Sequence, residues 1–294
     1  MDRYVVDYLN VAFRSFFPVQ DLKTSIGVGT GVPYSFLKEL FYLMTKYKIK
    51  RKQIIISLDS KAQHKKEIYP DYKKGRKKIE LEGKMSLDIQ LKICKLMMDF
   101  LGLTQCRCEG EEADDVCFTL SSYFSKKGIK TTIISSDHDL YQCLNKNTSM
   151  LISQKAGEET YTEEKFLNKY NIYPDNYKFV QCLSGCQTDN VKGMKGIGEE
   201  TAFKIVEANS WDKIIKNSDD LVFPNKRANT AFRKGFSEWN IDMNMKLVKL
   251  QNNLKLKIEK NEFNKGKLLR LFKYLEFRRF SQQDCFNRIC EVFE

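Results

Sequence analysis

Residues 131–139 read Thr131-Thr132-Ile133-Ile134-Ser135-Ser136-Asp137-His138-Asp139. A short β-branched run of this kind has the form of a strand buried on both faces, as in a parallel sheet. Two carboxylates follow it directly. The pattern recurs at Tyr4-Val5-Val6-Asp7 and at Ile54-Ile55-Ile56-Ser57-Leu58-Asp59. Helical patterns separate these runs. One covers Pro33 to Tyr47, with Pro33 suited to a first turn. A second covers Ser86 to Phe100, where Leu87, Leu91, Cys94, Met98 and Leu101 recur at helical spacing, and a third covers Glu112 to Phe124. Strands alternating with helices predict an α/β domain with a mostly parallel sheet.

In open α/β sheets, ligands bind beyond the carboxyl ends of the strands. Asp7, Asp59 and the Asp137–Asp139 pair are all expected at that edge. A fourth acidic group, Gly110-Glu111-Glu112-Ala113-Asp114-Asp115, precedes a helix. Any one of these acids has an ordinary explanation as a turn former, a cap or a favourable dipole charge. Gathered at one edge, they repel one another unless a cation joins them. An oxygen-only donor set without histidines or cysteines favours Mg²⁺ or Mn²⁺ over zinc. Helical spacing does not choose between Glu111 and Glu112, because both pair with Asp115.

The chain has 294 residues and a formal net charge of +12, so its acids converge against a basic background. Such a surplus points to a polyanionic partner. Hydrophobic residues at 42% supply a real core and exclude a disordered chain. No apolar run is long enough for a membrane helix, and the N-terminus lacks a signal-peptide layout. The nine cysteines form no disulfide or zinc spacing. A reduced, cytoplasmic protein that binds no membrane is expected.

From Lys61 to Lys78 the chain is densely basic, with Tyr69, Pro70 and Tyr72 interleaved. Lying after a strand, this segment is an insertion at the ligand-binding edge. The β pattern ends near Gly185. The expected organisation is therefore a catalytic domain over residues 1–181, carrying a basic insertion at about 61–85, and a smaller basic, helical domain over 182–294.

At this point the sequence resembles the structure-specific 5′-nucleases: flap endonucleases, phage 5′-exonucleases and the 5′-nuclease domain of bacterial DNA polymerase I. Five blocks carry the resemblance, in order, between about Tyr4 and Val206. They are Val6-Asp7 with Asn10 and Arg14; Tyr69-Pro70-Asp71-Tyr72-Lys73 with Arg76; Gly110 to Asp115; Ser135 to Leu140; and Leu183-Ser184-Gly185 through Gly196-Ile197-Gly198.

The resemblance implies a PIN-like fold with a helical arch and a helix–hairpin–helix. It favours Glu112 over Glu111, and implies that Asp7, Asp59, Glu112, Asp114, Asp115, Asp137, Asp139 and Asp189 line a two-metal site. Two divalent ions can activate water, align it and stabilise the leaving oxygen. Lys73 and Arg76 would neutralise charge developing on the phosphate. The arch would pass a single 5′ strand, with Tyr69 or Tyr72 offering a stacking face. Arg14 would contact phosphate near the branch, or else form a salt bridge to a nearby acid.

Residues Asn190 to Ala202 are expected to form a helix, a glycine turn and a second helix. Gly193, Gly196 and Gly198 would allow backbone N–H groups to meet phosphate, beside Lys192, Lys195 and Lys204. The family implies a K⁺ ion at this hairpin. The implied partner is DNA with 5′ ends, flaps or branches, RNA primers being a further candidate, bound by a monomer. One position departs from the family: Cys186 stands where a carboxylate is usual. A thiol is a soft ligand, poorly suited to Mg²⁺. That keeps open a non-catalytic branched-DNA binder, beside a PIN-type ribonuclease.

Overall fold

The computed structural model describes residues 1–76, 81, 83–154 and 157–294. Strands are β1 (Arg3–Asp7), β2 (Ile54–Ser57), β3 (Thr104–Arg107), β4 (Thr131–Ile134), β5 (Thr148–Gln154), β6 (Gly157–Tyr161), β7 (Gly185–Cys186), β8 (Val191–Lys192) and β9 (Lys257–Glu259). Helices are α1 (Tyr8–Arg14), α2 (Gly31–Tyr47), α3 (Gln63–Ile68), α4 (Leu87–Phe100), α5 (Ala113–Lys126), α6 (Glu163–Tyr170) and α7 (Tyr177–Ser184). They continue with α8 (Glu199–Ala208), α9 (Trp211–Ile215), α10 (Lys226–Gly235), α11 (Ile241–Val248), α12 (Lys265–Tyr274), α13 (Arg278–Ser281) and α14 (Gln283–Phe293).

The main sheet runs β6-β5-β4-β1-β2-β3-β9. Its five central strands are parallel, and β6 and β9 close the edges antiparallel. The strand register sets Val5 beside Ile55 and Ile133, and Val6 beside Ile56 and Ile134. Because successive side chains point to opposite faces, these two rows build two cores. One packs Val5, Ile55 and Ile133 under Val116, Cys117 and Leu120 of α5. The other packs Val6, Ile56 and Ile134 against Phe36 and Leu40 of α2 and Met97 and Met98 of α4. The three strands and three helices expected in the first 135 residues are present, with Ser86 capping α4 at the backbone N–H of Ile89.

The expectation that the β pattern ends near Gly185 is corrected. Strand β9 pairs with β3, and β7 pairs with β8 as a small antiparallel ribbon. Residues 254–259 read Leu-Lys-Leu-Lys-Ile-Glu, with β9 lying at the sheet edge and Ile258 exposed. The residues after 181 feed both cores: Ile205, Phe232 and Leu247 join the first, while Leu268, Phe272, Ile289 and Phe293 join the second. Among the described residues no helix is long and apolar enough to cross a membrane.

The basic insertion begins with α3 and continues through a turn over residues 69–75. Residues 77–80 and 82 of the expected arch, Lys77 and Lys78 included, lie outside the described residues.

Candidate active site

The carboxyl ends of β1, β2 and β4 converge with the start of α5. Asp7 ends β1 and caps α1, accepting from Asn10 N at 3.3 Å and from the Ser135 hydroxyl at 2.8 Å. Asp59 lies two residues past β2 and accepts from Ala113 N at 3.1 Å, which ties it to the first turn of α5. Asp137 caps the turn after β4 through Asp139 N at 3.0 Å. Asp139 is oriented by Gln181 Nε2 at 2.6 Å. Asp114 sits in the first turn of α5.

These five acids face one another. Burial, then Asp59, pushes the Asp7 carboxyl up to about 7. Burial and the neighbouring Asp137 and Asp189 carry Asp139 to about 7 as well. Burial, with Asp137 and Asp7 nearby, raises Asp114 well above the carboxylate range. Asp59 is raised by desolvation too, its backbone hydrogen bond and the nearby Lys73 and Arg76 notwithstanding. Buried carboxyls that raise one another in this way have the electrostatics that a divalent cation would relieve.

The remaining expected ligands are already paired. Glu112, the N-cap residue of α5, takes Lys65 Nζ at 2.9 Å, the Tyr72 hydroxyl at 2.8 Å and the Lys73 ammonium. Burial opposes its charge, but Lys65 and Lys73 prevail and hold its carboxyl down at about 2. Asp189 accepts from the Tyr72 hydroxyl at 2.7 Å and from Arg76. Its backbone carbonyl accepts from Lys73 N at 2.8 Å. Lys73 holds a left-handed backbone, φ 58°, which turns the insertion back onto the acidic edge.

Asp115 lies outside the group of five. It is fully buried, 3.3 Å from Lys65 Nζ, and accepts from Gln251 N at 2.7 Å. Adjacent helical residues point about 100° apart, so Asp114 and Asp115 serve different neighbours. Glu111 faces Gln251 and His64, not the strand ends.

Three further expectations change. Tyr72 is 2% exposed, with its hydroxyl bridging Glu112 and Asp189. It is thus a buried link, not a stacking face; burial and the two carboxylates raise its phenol. Arg14 forms the salt-bridge alternative, with Glu39 Oε1 at 2.9 Å, and both side chains are largely buried. The first helix of the expected helix–hairpin–helix is α7, ending at Ser184, and no helix lies between Asn190 and Gly198. The ribbon β7–β8 and a turn join it to α8. Gly185 and Gly193 permit this: a Cβ on Gly193 would lie 2.0 Å from the Ser184 carbonyl carbon. Gly193 is therefore a packing glycine. Gly196 has φ +84°, and Gly198, the N-cap residue of α8, stands in open space. Lys192, Lys195 and Lys204 are exposed around this turn, Lys204 pairing with Glu200.

A cleft of about 1030 Å³ joins these parts. Arg76, Asp137, Asp139, Cys186, Thr188 and Gly198 are among its lining residues. Sequence reasoning missed Lys65, one lysine within a basic run, which is buried between Glu112 and Asp115. It also missed Gln181, whose role depends on α7 lying beside the turn after β4.

A parallel sheet with an acidic edge, a basic insertion clamped onto it and a glycine turn nearby define a nuclease of the acidic α/β class. The model of the family described as "5′-3′ exonuclease, N-terminal resolvase-like domain" matches residues 2–171. The chain belongs to that family. A 5′-3′ exonuclease of Aquifex aeolicus (strain VF5) is 32% identical over 273 residues, covering 90% of this chain and 89% of that protein. The thermostable DNA polymerase I of Thermus thermophilus is 32% identical over 225 residues, covering 76% of this chain but 26% of that protein. The chain thus spans about a quarter of such polymerase relatives. Solved structures share the fold at lower identity. A bacteriophage T5 flap endonuclease in complex with DNA and metal ions has a TM-score of 0.63 at 18% identity, covering 100% of this chain and 98% of that one. The catalytic core of Rad2 with DNA substrate has a TM-score of 0.65 at 15% identity, covering 100% and 93%.

Proposed function

We propose that this 5′-3′ nuclease uses divalent metal ions to hydrolyse phosphodiester bonds near 5′ ends or single-strand/duplex junctions of DNA. One observation supports this most: Asp7, Asp59, Asp114, Asp137 and Asp139 face one another, and Asp137 and Asp139 line a cleft bordered by Arg76. Such a donor set suits Mg²⁺ or Mn²⁺. Asp7, Asp59, Asp114, Asp137 and Asp139 would hold the ions. Glu112 and Asp189 would join them as Lys73 and Arg76 turn to the scissile phosphate. When bound, divalent ions supply water activation and charge neutralisation.

The chain's own residues do the rest. Ser135 and Asn10 fix Asp7, Gln181 fixes Asp139, Lys65 and Lys73 keep Glu112 ionised, and Tyr72 helps to aim it. Lys73 and Arg76 are poised to stabilise the phosphate as negative charge develops. The turn at Gly196–Gly198, with Lys192 and Lys195, suits contacts to the duplex backbone, and a K⁺ ion among its carbonyls is part of the same proposal. Lys195→Ala is expected to lower the salt dependence of duplex binding by about one unit of slope, read from affinity against salt concentration.

The test uses a 5′-labelled flap duplex and a closed circular duplex without ends, each with Mg²⁺, Mn²⁺ or EDTA. Short labelled products from the flap alone, absent in EDTA, are expected. Equal cutting of the closed circle would overturn the preference for ends and junctions.

A further inference from the structure

Gln142 follows Asp139 in the turn after β4, and its side chain is buried. Two main-chain groups at the end of α11 and just beyond it orient this side chain. Leu250 N donates to its Oε1 at 3.2 Å, and its Nε2 donates to the Val248 carbonyl at 2.9 Å. A backbone N–H can only donate and a backbone carbonyl can only accept, so the Gln142 amide has one orientation. Its Nε2 also donates to Gln181 Oε1 at 2.9 Å. Gln181, itself buried, therefore turns its own Nε2 the other way, where it meets Asp139 Oδ1 at 2.6 Å. Val248 and Leu250 belong to the first core, so the series starts from a fixed point.

We propose that Gln142 is a positioning residue for metal binding: it holds Gln181 in the one orientation that presents a donor to Asp139. This rests on the metal-dependent reading above. The two ends of an amide are nearly the same size, so Gln181 fits its space equally well reversed, with its carbonyl facing the carboxylate. Two acceptors in contact repel, and Asp139 would turn away from the acidic group. Gln142 closes off that reversal, because a reversed Gln181 would also set two N–H groups against each other. Partners of this kind, one step or more behind a ligand, orient it and tune its affinity for the ion. The main chain of residues 248–250 thereby aligns a carboxylate of the metal-binding edge that it does not touch.

The probe is Mn²⁺, titrated calorimetrically into the intact metal-free protein and its variants. Gln142→Glu keeps the size and the bond from Leu250 but replaces the donor with a second acceptor. Gln181 should then reverse, and Mn²⁺ affinity should fall by about 10- to 100-fold. Gln142→Met removes the donor without imposing the reversal and should lose less. Gln181→Met deletes the last link, leaves Gln142 its two main-chain partners, and should also weaken Mn²⁺ binding. Because the two residues act in series, adding Gln142→Glu to Gln181→Met should cost nothing further. Wild-type Mn²⁺ affinity in the Gln142 variants, with only the melting temperature lowered, would overturn the proposal and leave Gln142 a core residue. Additive losses in the double variant would overturn it too. Wild type that binds no Mn²⁺ would overturn the metal-dependent reading itself, a result distinct from binding that the variants retain.

Discussion

Two sets of carboxylates share the carboxyl edge of one sheet and have opposite electrostatic fates. Asp7, Asp114 and Asp139 face mainly other acids, and their carboxyls are pushed up. Glu112 faces Lys65, Lys73 and Tyr72 and is held down at about 2. Burial opposes ionisation in both sets. The difference lies in where the counter-charge comes from. The basic insertion supplies it to Glu112, Asp115 and Asp189, whereas among the described residues burial and neighbouring acids outweigh it at Asp7, Asp114 and Asp139. Lys73 and Arg76 thus pair with the acidic edge before any phosphate arrives.

The contrast breaks most visibly by mutation. Asp114→Asn keeps the shape but removes a carboxylate from the set whose carboxyls are pushed up. It should reduce cleavage by about a thousandfold or more, because metal-supplied stabilisation is worth several kcal/mol. Near-normal turnover in a flap-cleavage assay would make that set merely structural. Lys73→Ala, on the insertion side, should cost about 10²-fold in kcat with little change in DNA affinity. A pure affinity loss would make Lys73 a docking contact.

The contrast also has a pH signature. Asp7 and Asp139 bind protons more tightly folded than unfolded, so their contribution to stability is full below about pH 4 and fades as pH rises through about 7. Glu112 has the opposite sign, but its contribution is lost only as pH falls from about 4.5 toward about 2. Metal-free protein should therefore melt at a higher temperature near pH 5 than near pH 8, with Mg²⁺ or Mn²⁺ closing the gap at pH 8. A melting temperature that rises over this interval without metal would contradict the assignment. The smallest effect is expected at Tyr72→Phe. Losing the hydroxyl between Glu112 and Asp189 should cost about 1–3 kcal/mol in denaturant unfolding, with single-strand affinity unchanged. A large affinity loss would restore the stacking role.

The sequence made the parallel strands and their terminal acids legible because β-branched runs followed by Asp depend only on local pattern. Glu112 against Glu111 was not legible by spacing: both fit one helix turn, and Lys65, Tyr72 and Lys73 distinguish them only after the insertion folds back. The same folding buried Tyr72, whose place in a basic, aromatic run had the look of an exposed platform. Arg14 found Glu39, 25 residues away, which no motif encodes. Strand β9 depends on pairing with β3, which sets Glu259 beside Gln105, and no local pattern shows a partner so much earlier in the chain.

The most direct measurement is calorimetric titration of Mn²⁺ into metal-free wild type and Asp137→Ala, paired with flap cleavage at each metal concentration. Binding by wild type that rises in step with cleavage, and the loss of both in the variant, is the predicted result. Equal binding and equal cleavage in the two proteins would contradict the claim that the acidic strand ends form the metal site.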